Sequence, residues 1–519
     1  MASHAHHPIL PCAFLLVIIC CSFGVNVSGA TNFSIAEATV AELQAAFKQN
    51  ILNSTTLVEY YLSQILSLNS KIRGLIEVNP DLLYLAQLAD EQRKAGVPPS
   101  GTGLHGIPVL LKDNISTQDK LNTTAGSFAL LGSVVPRDAG VAKKLRAAGA
   151  IILGKAALSE WAHYRSANGP NGWSARGGQV LNPYVMSADP CGSSTGSAIS
   201  VATNMAAVSL GTETDGSILC PAYSNSVVGI KPTLGLTSRA GVVPISPRQD
   251  TVGPICRTVS DAAYVLDAIA GYDPYDTATS TASEFIPPGG YVQFLNASGL
   301  KGKRLGIVRN PFFNFTTATS YMTQAFQMHF QTLSQFGAIL VDNLQIANIS
   351  AILNSSQSGE SYALSAEFKI ALNNYLSGLV ASPIRTLADA IAFNNNYSTL
   401  EMIPQYGQSL FLLAENSTGT SDPLYKAALA NMLSLTENGF VKLMMDNNLD
   451  ALITPNSGVT PMLAIGGFPG ISVPAGYAPN GAPFGICFSG LQGYEPRLIE
   501  ISYGFEQATK IRKPPSFLV

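Results

Sequence analysis

Apolar residues recur at three- and four-residue intervals in several stretches of the chain, and each such stretch predicts an amphipathic helix. Clear examples are residues 55–68, 80–96, 260–271 and 322–337. Shorter, continuously apolar runs lie between them, such as "GIPVLLKD" at residues 106–113. Runs of this length and composition are typical of buried strands.

Helical and strand-like segments alternate along most of the chain. The runs "AIILGKA" at 150–156, "AVSLGTE" at 207–213 and "GISVPAG" at 470–476 are further strand candidates. This alternation predicts an α/β fold, in which a central mixed, largely parallel β-sheet is flanked by helices on both faces. We expect residues 31–519 to form a single domain. Residues 362–426, which carry helical but few strand signals, are expected to form a helical cap insertion.

Three local signals add detail to this outline. Thr39 and Glu42 have the spacing of a capping box at the start of a helix. Asp138 is expected to cap the helix that follows it. Residues 273–299 are rich in Pro, Gly, Ser and Thr, which predicts a long surface connection.

The N-terminus has the pattern of a targeting segment. Residues 9–25 are apolar and uncharged, and Ser28 and Ala30 occupy the small-residue positions of a cleavage site. The run is shorter than the ~20 residues that a membrane span prefers. We therefore predict that residues 1–30 are a signal peptide, that no stable membrane span remains after its removal, and that the protein is secreted or vacuolar. An uncleaved membrane anchor is the alternative.

Glycosylation sequons are consistent with a secretory route. Ten N-x-[S/T] sequons lie beyond residue 30, at Asn32, Asn53, Asn114, Asn122, Asn296, Asn314, Asn348, Asn354, Asn396 and Asn416. We therefore expect a glycoprotein. Asn114 adjoins a lysine that the site discussed below requires, so we expect it to be buried and unmodified. Charged residues make up only 12% of the chain and the net charge is −3, which argues against nucleic acid as a partner.

Four cysteines lie beyond the predicted signal peptide, at Cys191, Cys220, Cys256 and Cys487. They are too few to hold a chain of this size together, so the hydrophobic core must stabilise the fold. The sequence does not decide among the three pairings that are open if all four form disulfides. We interpret Cys191 and Cys220 as small core residues. A bridge between them is the alternative, and it would join two loops.

The candidate chemistry lies in a segment rich in Gly and small hydroxyl residues, 189–222. A serine there needs an adjacent base to become a nucleophile, but this segment contains no histidine. Lys112 ends a predicted buried strand. A lysine in such a place usually extends to solvent, whereas a desolvated lysine has a lowered pKa and can act as the base. We interpret His105 and His163 as structural. No metal-ligand or phosphate-binding spacing is present, so we expect no metal and no cofactor.

Three segments resemble those of the amidase signature family, whose members hydrolyse amide bonds. "CGSSTGS" at 191–197 resembles its "GGSSGGS" block, and "GTETDGSILCPA" at 211–222 resembles its "GT-D-x-G-G-S-I-R-x-P-A" block. "GIPVLLKDN" resembles the strand that bears the family's catalytic lysine. The separation of Ser193 and Ser217 also matches, and the resemblance covers nearly all of residues 31–519.

The resemblance implies a cofactor-free amidase with a Ser-Ser-Lys triad. Ser217 would be the nucleophile that forms the acyl-enzyme. Ser193, after a cis peptide bond at Gly192, would relay the proton of Ser217 to an uncharged Lys112. Ser194 would support this network through hydrogen bonds.

The resemblance also implies an oxyanion hole, formed by backbone N–H groups of Thr214, Asp215, Gly216 and Ser217. Three residues of the block depart from the family pattern, namely Glu213, Asp215 and Leu219. The variant block is most like that of the peptide amidase branch, which releases ammonia from C-terminal peptide amides. The expected substrate is therefore a small-molecule or short-peptide amide. Asp215 is a candidate contact for a polar, backbone-like substrate, and a homodimer is compatible with the sequence.

Three other functions were weighed. A transamidating subunit that makes glutaminyl-tRNA shares the family's core, but a secretion signal disfavours it. A hydrolase of fatty-acid amides calls for an exposed apolar membrane-binding surface, and residues 362–426 show no long apolar stripe. A catalytically silent binding glycoprotein on the same scaffold is disfavoured because all three triad positions are intact.

Overall fold

The computed structural model describes residues 33–97 and 103–518. Residues 1–30, predicted as a signal peptide, lie outside the described residues. Among the described residues, the strands are β1 Leu75–Val78, β2 Pro108–Lys112, β3 Ile151–Ala156, β4 Trp173–Ser174, β5 Gly178–Gln179, β6 Val208–Glu213, β7 Val228–Lys231, β8 Thr251–Cys256, β9 Arg304–Ile307, β10 Ile339–Val341, β11 Ala451–Pro455, β12 Gly470–Tyr477 and β13 Pro483–Ser489.

Eleven of these strands form one sheet in the order β1-β3-β2-β6-β8-β7-β12-β13-β11-β9-β10, and β4 pairs with β5 separately. Parallel pairing occurs in two blocks, β3-β2-β6 and β11-β9-β10. The pairs between β6 and β11 in this order are antiparallel, as is β1 with β3. The prediction of a mixed α/β sheet is confirmed, and the parallel pairs lie where helices connect successive strands.

Helices pack against the sheet along its length. They are α1 Val40–Lys48, α2 Ser54–Ile72, α3 Leu82–Lys94, α4 Gly140–Ala147, α5 Thr195–Ala202, α6 Leu219–Ser224, α7 Val259–Ile269, α8 Ala278–Ala282, α9 Arg309–Phe312, α10 Tyr321–Gln335, α11 Ile349–Ile352, α12 Ser355–Ser358, α13 Glu360–Ser377, α14 Leu387–Asn396, α15 Ile403–Tyr406, α16 Ser409–Glu415, α17 Pro423–Thr436, α18 Lys442–Asp446, α19 Thr460–Gly466 and α20 Glu495–Thr509. A π-helical turn, Glu437–Val441, joins α17 to α18.

Most of the predicted elements are present. The four predicted helices correspond to α2, α3, α7 and α10, and the capping box of Thr39 and Glu42 opens α1. Strand β8 was not predicted, because Gly253 and Pro254 interrupt its apolar run and are typical of turns. The glycine is needed there, since a Cβ at Gly253 would lie 2.0 Å from the carbonyl oxygen of Ile230 on the neighbouring strand.

The prediction that Asp138 caps a helix is wrong. Helix α4 begins after Ala139, and its first turn receives no side-chain cap. The Asp138 carboxylate instead accepts a hydrogen bond from the backbone N–H of Gln118 at 2.7 Å and pairs with Arg146 at 3.0 Å. A partner distant in sequence therefore replaces the local cap.

The segment between β10 and β11 is helical over most of its described length. Helices α13 to α16 cover much of residues 362–426, where the sequence predicts helix. Their apolar side chains form one cluster with residues that follow β3. The ring centroids of Trp161 and Phe411 lie 5.4 Å apart, and those of Tyr164 and Phe368 lie 4.6 Å apart. This cluster brings the helical segment against the loop that forms one wall of the cavity described next.

Candidate active site

Lys112 is the last residue of β2, a strand buried along its whole length. Its side chain is fully buried. The Nζ atom lies 2.8 Å from the Ser193 hydroxyl, 3.0 Å from the Ser194 hydroxyl and 3.0 Å from the carbonyl oxygen of Thr212. The side chains of Lys112, Ser193 and Ser194, which the sequence motifs indicate, thus lie in one cluster.

Burial controls the protonation of Lys112. Desolvation lowers its pKa from the usual 10.5 to about 7, although the charges of Glu213 and Asp250 act in the opposite direction. Within the described part of the chain, no carboxylate forms an ion pair with this amine. The uncharged form is therefore well populated near neutral pH, and an uncharged amine can accept a proton.

The loop before α5 presents the two adjacent serines. Its peptide bond between Gly192 and Ser193 is cis, as the resemblance implied. A Cβ at Gly192 would lie 2.4 Å from the hydroxyl of Ser159, so a larger residue there would displace that side chain. Ser194 is anchored to β6, since its hydroxyl donates to the Thr212 carbonyl at 3.0 Å and accepts from the Thr212 N–H at 3.2 Å.

A second loop, residues 214–218, carries Ser217 between β6 and α6. The buried carboxylate of Glu213 holds this loop by accepting hydrogen bonds from the N–H groups of Ile218 and Leu219, at 2.6 and 2.9 Å. The backbone N–H of Ser194 donates to the Ser217 carbonyl at 3.1 Å. These bonds connect the two serine loops directly.

The turn before Ser217 leaves several backbone donors free. Gly216 has a φ of 83°, a left-handed conformation that favours glycine. The N–H groups of Asp215, Gly216 and Ser217 have no acceptor among the residues that the structure describes. Consecutive free N–H groups of this kind form a concave binding place for an anion.

Ser193 and Ser217 line one cavity of about 430 Å³. Among the described residues, no hydrogen bond joins their two hydroxyls. Thr214, Asp215 and Gly216 line the same cavity. A cavity of about 450 Å³ lies elsewhere, against α17 and α19, but its lining contains neither a serine nor a lysine. The cavity with these two serines is therefore the candidate active site.

A disulfide joins Cys191 and Cys220, whose Cα atoms lie 5.7 Å apart. The interpretation of these cysteines as unpaired core residues is wrong. Cys191 stands two residues before Ser193 and Cys220 stands three residues after Ser217, and both cysteines line the cavity. The bond therefore ties together the loops that carry the two serines. Cys256 and Cys487 are free and buried.

Two of the three departures from the family pattern, Glu213 and Leu219, have a common structural basis. Leu219 is fully buried in an apolar cluster, where a charged side chain would find no water. Glu213 is compensated by the two backbone N–H groups of α6 and by the positive charge of buried Lys231 nearby. An arginine at position 219 is therefore not needed to balance this carboxylate.

Asp215 lies on the cavity wall, with part of its surface exposed. Desolvation of its carboxyl group and the nearby charge of Glu360 raise its pKa well above the usual range. The pKa of Glu360 is also raised, mainly by burial. Two neighbouring carboxyl groups of this kind favour a state in which one of them keeps a proton.

Sequence reasoning missed a buried ion cluster beside the cavity. Arg165 binds the carboxylate of Glu160 and the backbone carbonyl of Glu401, the latter at 2.9 Å. The Glu401 carboxylate in turn accepts from the Ser127 hydroxyl at 3.0 Å. The motif "SEWAHYRS" contains Glu160 and Arg165. Glu401 comes from the helical segment far along the chain, so the motif alone does not indicate that it joins them.

Three further findings concern the described residues. In the described ranges, His, Cys, Asp and Glu side chains form no group of three or more that could hold a metal ion. Over the same ranges, every helix is too short or too polar to cross a membrane. Asn114 is buried, as predicted, and its side-chain amide donates to the Thr212 hydroxyl at 3.0 Å.

The fold and this cluster of serines and a lysine have the groups that serine hydrolases use, and comparison with known proteins gives the family of the chain. The model of the Amidase family matches residues 56–499. A protein of Arabidopsis thaliana named "Probable amidase" is 58% identical over 488 residues, which span 94% of this chain and 93% of the relative. The chain belongs to the Amidase family, and it is an enzyme that hydrolyses amide bonds.

A solved structure agrees with this assignment. The native peptide amidase from Stenotrophomonas maltophilia superposes with a TM-score of 0.86 at 41% identity, covering 93% of this chain and 99% of that one. A glutamyl-tRNA(Gln) amidotransferase subunit of Thermoanaerobacter pseudethanolicus is a more distant relative, 32% identical over 515 residues, with 92% of this chain and 97% of the relative covered. The family's fold expected from the sequence is confirmed.

Proposed function

We propose that the enzyme cleaves carboxamides through a Ser217 acyl-enzyme, with Ser193 as proton relay and Lys112 as base. The single observation that carries this proposal is the buried contact of 2.8 Å between Lys112 Nζ and Ser193 Oγ. Ser–Lys pairs are known variants of the serine hydrolase triad. A lysine whose pKa is about 7 is suited to proton transfer near neutral pH.

The hydrogen bonds around Lys112 support a relay in this direction. An uncharged amine has two N–H donors and one lone pair. The Thr212 carbonyl can only accept, and the Ser194 hydroxyl already donates to that carbonyl. Both N–H donors of Lys112 are therefore used on these two oxygens. The lone pair is left for the Ser193 hydroxyl, which donates its proton to the amine.

The reaction follows from this arrangement. Ser217 Oγ attacks the carboxamide carbon, its proton moves to Ser193 Oγ, and the proton of Ser193 moves to Lys112. The tetrahedral oxyanion accepts hydrogen bonds from the free N–H groups of Asp215 to Ser217, each commonly worth about 3 kcal/mol in the transition state. When the C–N bond breaks, the proton returns along the same route to the leaving amine. Water then hydrolyses the ester and restores Ser217.

The relay needs a Ser217–Ser193 hydrogen bond that is absent without substrate. Both serines line one cavity, and we expect the Ser217 side chain to turn toward Ser193 when substrate binds. Catalytic hydrogen bonds often tighten only in the substrate complex.

The proposed substrate is the primary amide of a small molecule or a short peptide. Its hydrolysis yields a carboxylate and ammonia. The 41% identity to a peptide amidase and the size of the cavity support this class. A partly exposed Asp215 beside the oxyanion hole supplies a polar contact for a backbone-like substrate.

A fluorophosphonate probe tests the proposed chemistry. We expect the protein spanning residues 31–519 to gain one probe mass, and Ser217→Ala to abolish the gain. Ser457→Ala is the matched control, because Ser457 lines the same cavity outside the motifs, and it should label normally. Labelling that persists in Ser217→Ala contradicts the mechanism. A mass-spectrometric screen of peptide amides and fatty-acyl amides tests the substrate class, and turnover of fatty-acyl amides alone contradicts it.

We propose, as a separate point, that the protein follows the secretory pathway and is glycosylated. The pattern of residues 1–30 and the Cys191–Cys220 disulfide support this route. Seven sequon asparagines are exposed, namely Asn53, Asn296, Asn314, Asn348, Asn354, Asn396 and Asn416. Mass spectrometry of the full chain expressed in a eukaryotic host should find cleavage after Ala30, glycans at exposed sequons and none at Asn114. An intact N-terminus on an unglycosylated product would refute the route.

A further inference from the structure

One histidine on the cavity wall has no use in the mechanism above. His105 and His329 have ring nitrogens with protein partners, a glutamine carbonyl at 3.1 Å and a backbone carbonyl at 2.7 Å, respectively. His163 differs, since its ring makes no hydrogen bond to any residue that the structure describes. It lines the cavity together with Ser193 and Ser217. The interpretation of His105 as structural is confirmed, but that of His163 as a satisfied structural residue is wrong.

The backbone around His163 has an unusual conformation. Trp161, Ala162 and His163 have successive φ values of 51°, 53° and 76°, a left-handed region that residues with side chains rarely adopt. The turn persists because its neighbours are buried. The Trp161 N–H donates to the Ala125 carbonyl at 2.8 Å, and its indole packs on Phe411. Such conformations are retained where surrounding structure enforces them, and they cluster at functional sites.

Backbone hydrogen bonds tie this turn to the relay serine. The N–H of His163 donates to the Ser159 carbonyl at 3.2 Å, and the N–H of Ser159 donates to the Ser193 carbonyl at 3.1 Å. The backbone of His163 therefore keeps a set position relative to the relay serine, and it places the imidazole on the cavity wall.

The charge state of the ring limits what it can bind. Burial lowers the pKa of His163, the charge of Lys112 lowers it further, and Asp189 acts in the opposite direction. The ring is therefore neutral at neutral pH, with one nitrogen donating and the other accepting. An amide group in the substrate offers the complementary C=O and N–H. A carboxylate or an ammonium group would use only half of this capacity.

We propose that His163 is a specificity-determining residue, which hydrogen-bonds the amide group that precedes the scissile carboxamide in the substrate. The inference rests on the proposed function and refines its substrate class to N-acylated amino-acid amides and peptide amides. A partly buried polar group without a partner is costly, so a substrate that supplies the partner binds better than one that lacks it.

Two primary amides that differ only in this group test the proposal. N-acetyl-L-alaninamide carries the preceding amide, and propanamide is the same molecule without it. We expect His163→Leu to lower kcat/KM for N-acetyl-L-alaninamide by about 10-fold, the effect of one lost hydrogen bond. The value for propanamide should stay within about 2-fold. His163→Asn, which keeps one donor and one acceptor, should restore most of the preference.

The ratio of the two substrates in one preparation is independent of how much of the variant is folded. An equal loss on both substrates, or no loss on either, overturns the role of His163. If the wild-type protein hydrolyses propanamide but not the acetylated amide, the refined substrate class is wrong while the amidase chemistry stands. If the wild type hydrolyses neither and the fluorophosphonate probe does not label Ser217, the proposed function itself fails, and the role of His163 fails with it.

Discussion

The Nζ atom of Lys112 lies 2.8 Å from the Ser193 hydroxyl, although 81 positions separate the two residues in the chain. Strand β2 carries the lysine, and the loop before α5 carries the serine. Both side chains are fully buried, so water competes little for this contact. The proposed base and relay are thus brought together by the sheet itself, and several measurable consequences follow from how they are placed.

The activity should rise with pH through a midpoint near 7. Lys112 acts as a base only when uncharged, and its pKa is about 7, so protonation at lower pH removes the base. Above the midpoint the rate should level off. The measurement is kcat/KM against pH on a primary amide that has no titratable group. A profile that is flat through neutrality, or that falls as the pH rises, contradicts this role.

The two neighbouring serines should differ in their importance. Ser193→Ala interrupts the proton route, and we expect kcat to fall by about 10²–10⁴-fold. Ser194→Ala keeps the route and removes supporting hydrogen bonds, each worth about 1 kcal/mol, so a loss of about 10-fold is expected. Active-site titration with a fluorophosphonate on wild-type protein and Ser194→Ala corrects for misfolded material. Equal losses in the two variants would exclude Ser193 as the relay.

Removal of the Cys191–Cys220 disulfide should destabilise the protein. The two cysteines are 29 positions apart, and closing a loop of this length stabilises a fold by about 3–4 kcal/mol in the chain-entropy account. The double variant Cys191→Ser/Cys220→Ser should show this loss in denaturant unfolding. Its kcat should also fall, because the bond joins the two serine loops.

A thiol titration provides the control for the disulfide. The denatured protein of residues 31–519 should show two free thiols, Cys256 and Cys487, before reduction and four after it. Four free thiols before reduction would show that the bridge is absent in solution.

Asp215 should make the stability depend on pH. Its folded-state pKa is raised, so its contribution to stability is complete below the unfolded pKa and is lost as pH rises through the folded value. Because Asp215 is exposed at the cavity, solvent screening keeps this contribution small. Asp215→Asn does not titrate. The Tm of this variant, relative to wild type, should therefore increase as the pH is raised from acidic to alkaline. A Tm difference that stays constant with pH contradicts the raised pKa.

Glu360→Gln is the matched control for Asp215. This variant removes the negative charge of Glu360, which raises the pKa of Asp215. The loss of stability due to Asp215 should therefore occur at a lower pH. Asp215→Asn also tests the substrate contact proposed for Asp215. If the contact exists, this variant should change the relative kcat/KM values for different amide substrates.

Local patterns in the sequence predicted the helices and most of the strands, and the resemblance to the amidase signature family pointed to Lys112, Ser193 and Ser217 as candidate reacting residues. The predictions of helices and strands succeeded because helical periodicity and buried-strand composition act over a few residues, and the blocks that carry the resemblance are contiguous in the chain. The position of Lys112 at the end of an apolar run also indicated that it could be buried. Its lowered pKa could not be predicted from the sequence, because the desolvation that causes it comes from the elements packed around β2.

Other features depend on partners that lie far apart in the chain. The sequence left the pairing of Cys191 and Cys220 open, because nothing local states that their loops meet at the cavity. Glu401 joins Arg165 only when the helical segment packs on the loop after β3. In the sequence, nothing distinguishes His163 from any other isolated histidine. Only the tertiary structure shows that its ring lines the cavity and has no hydrogen-bond partner among the described residues. Sequence alone thus determined the local elements and named the candidate reacting residues, whereas the tertiary structure decided burial, disulfide pairing and the cavity wall, because these arise from contacts between distant segments.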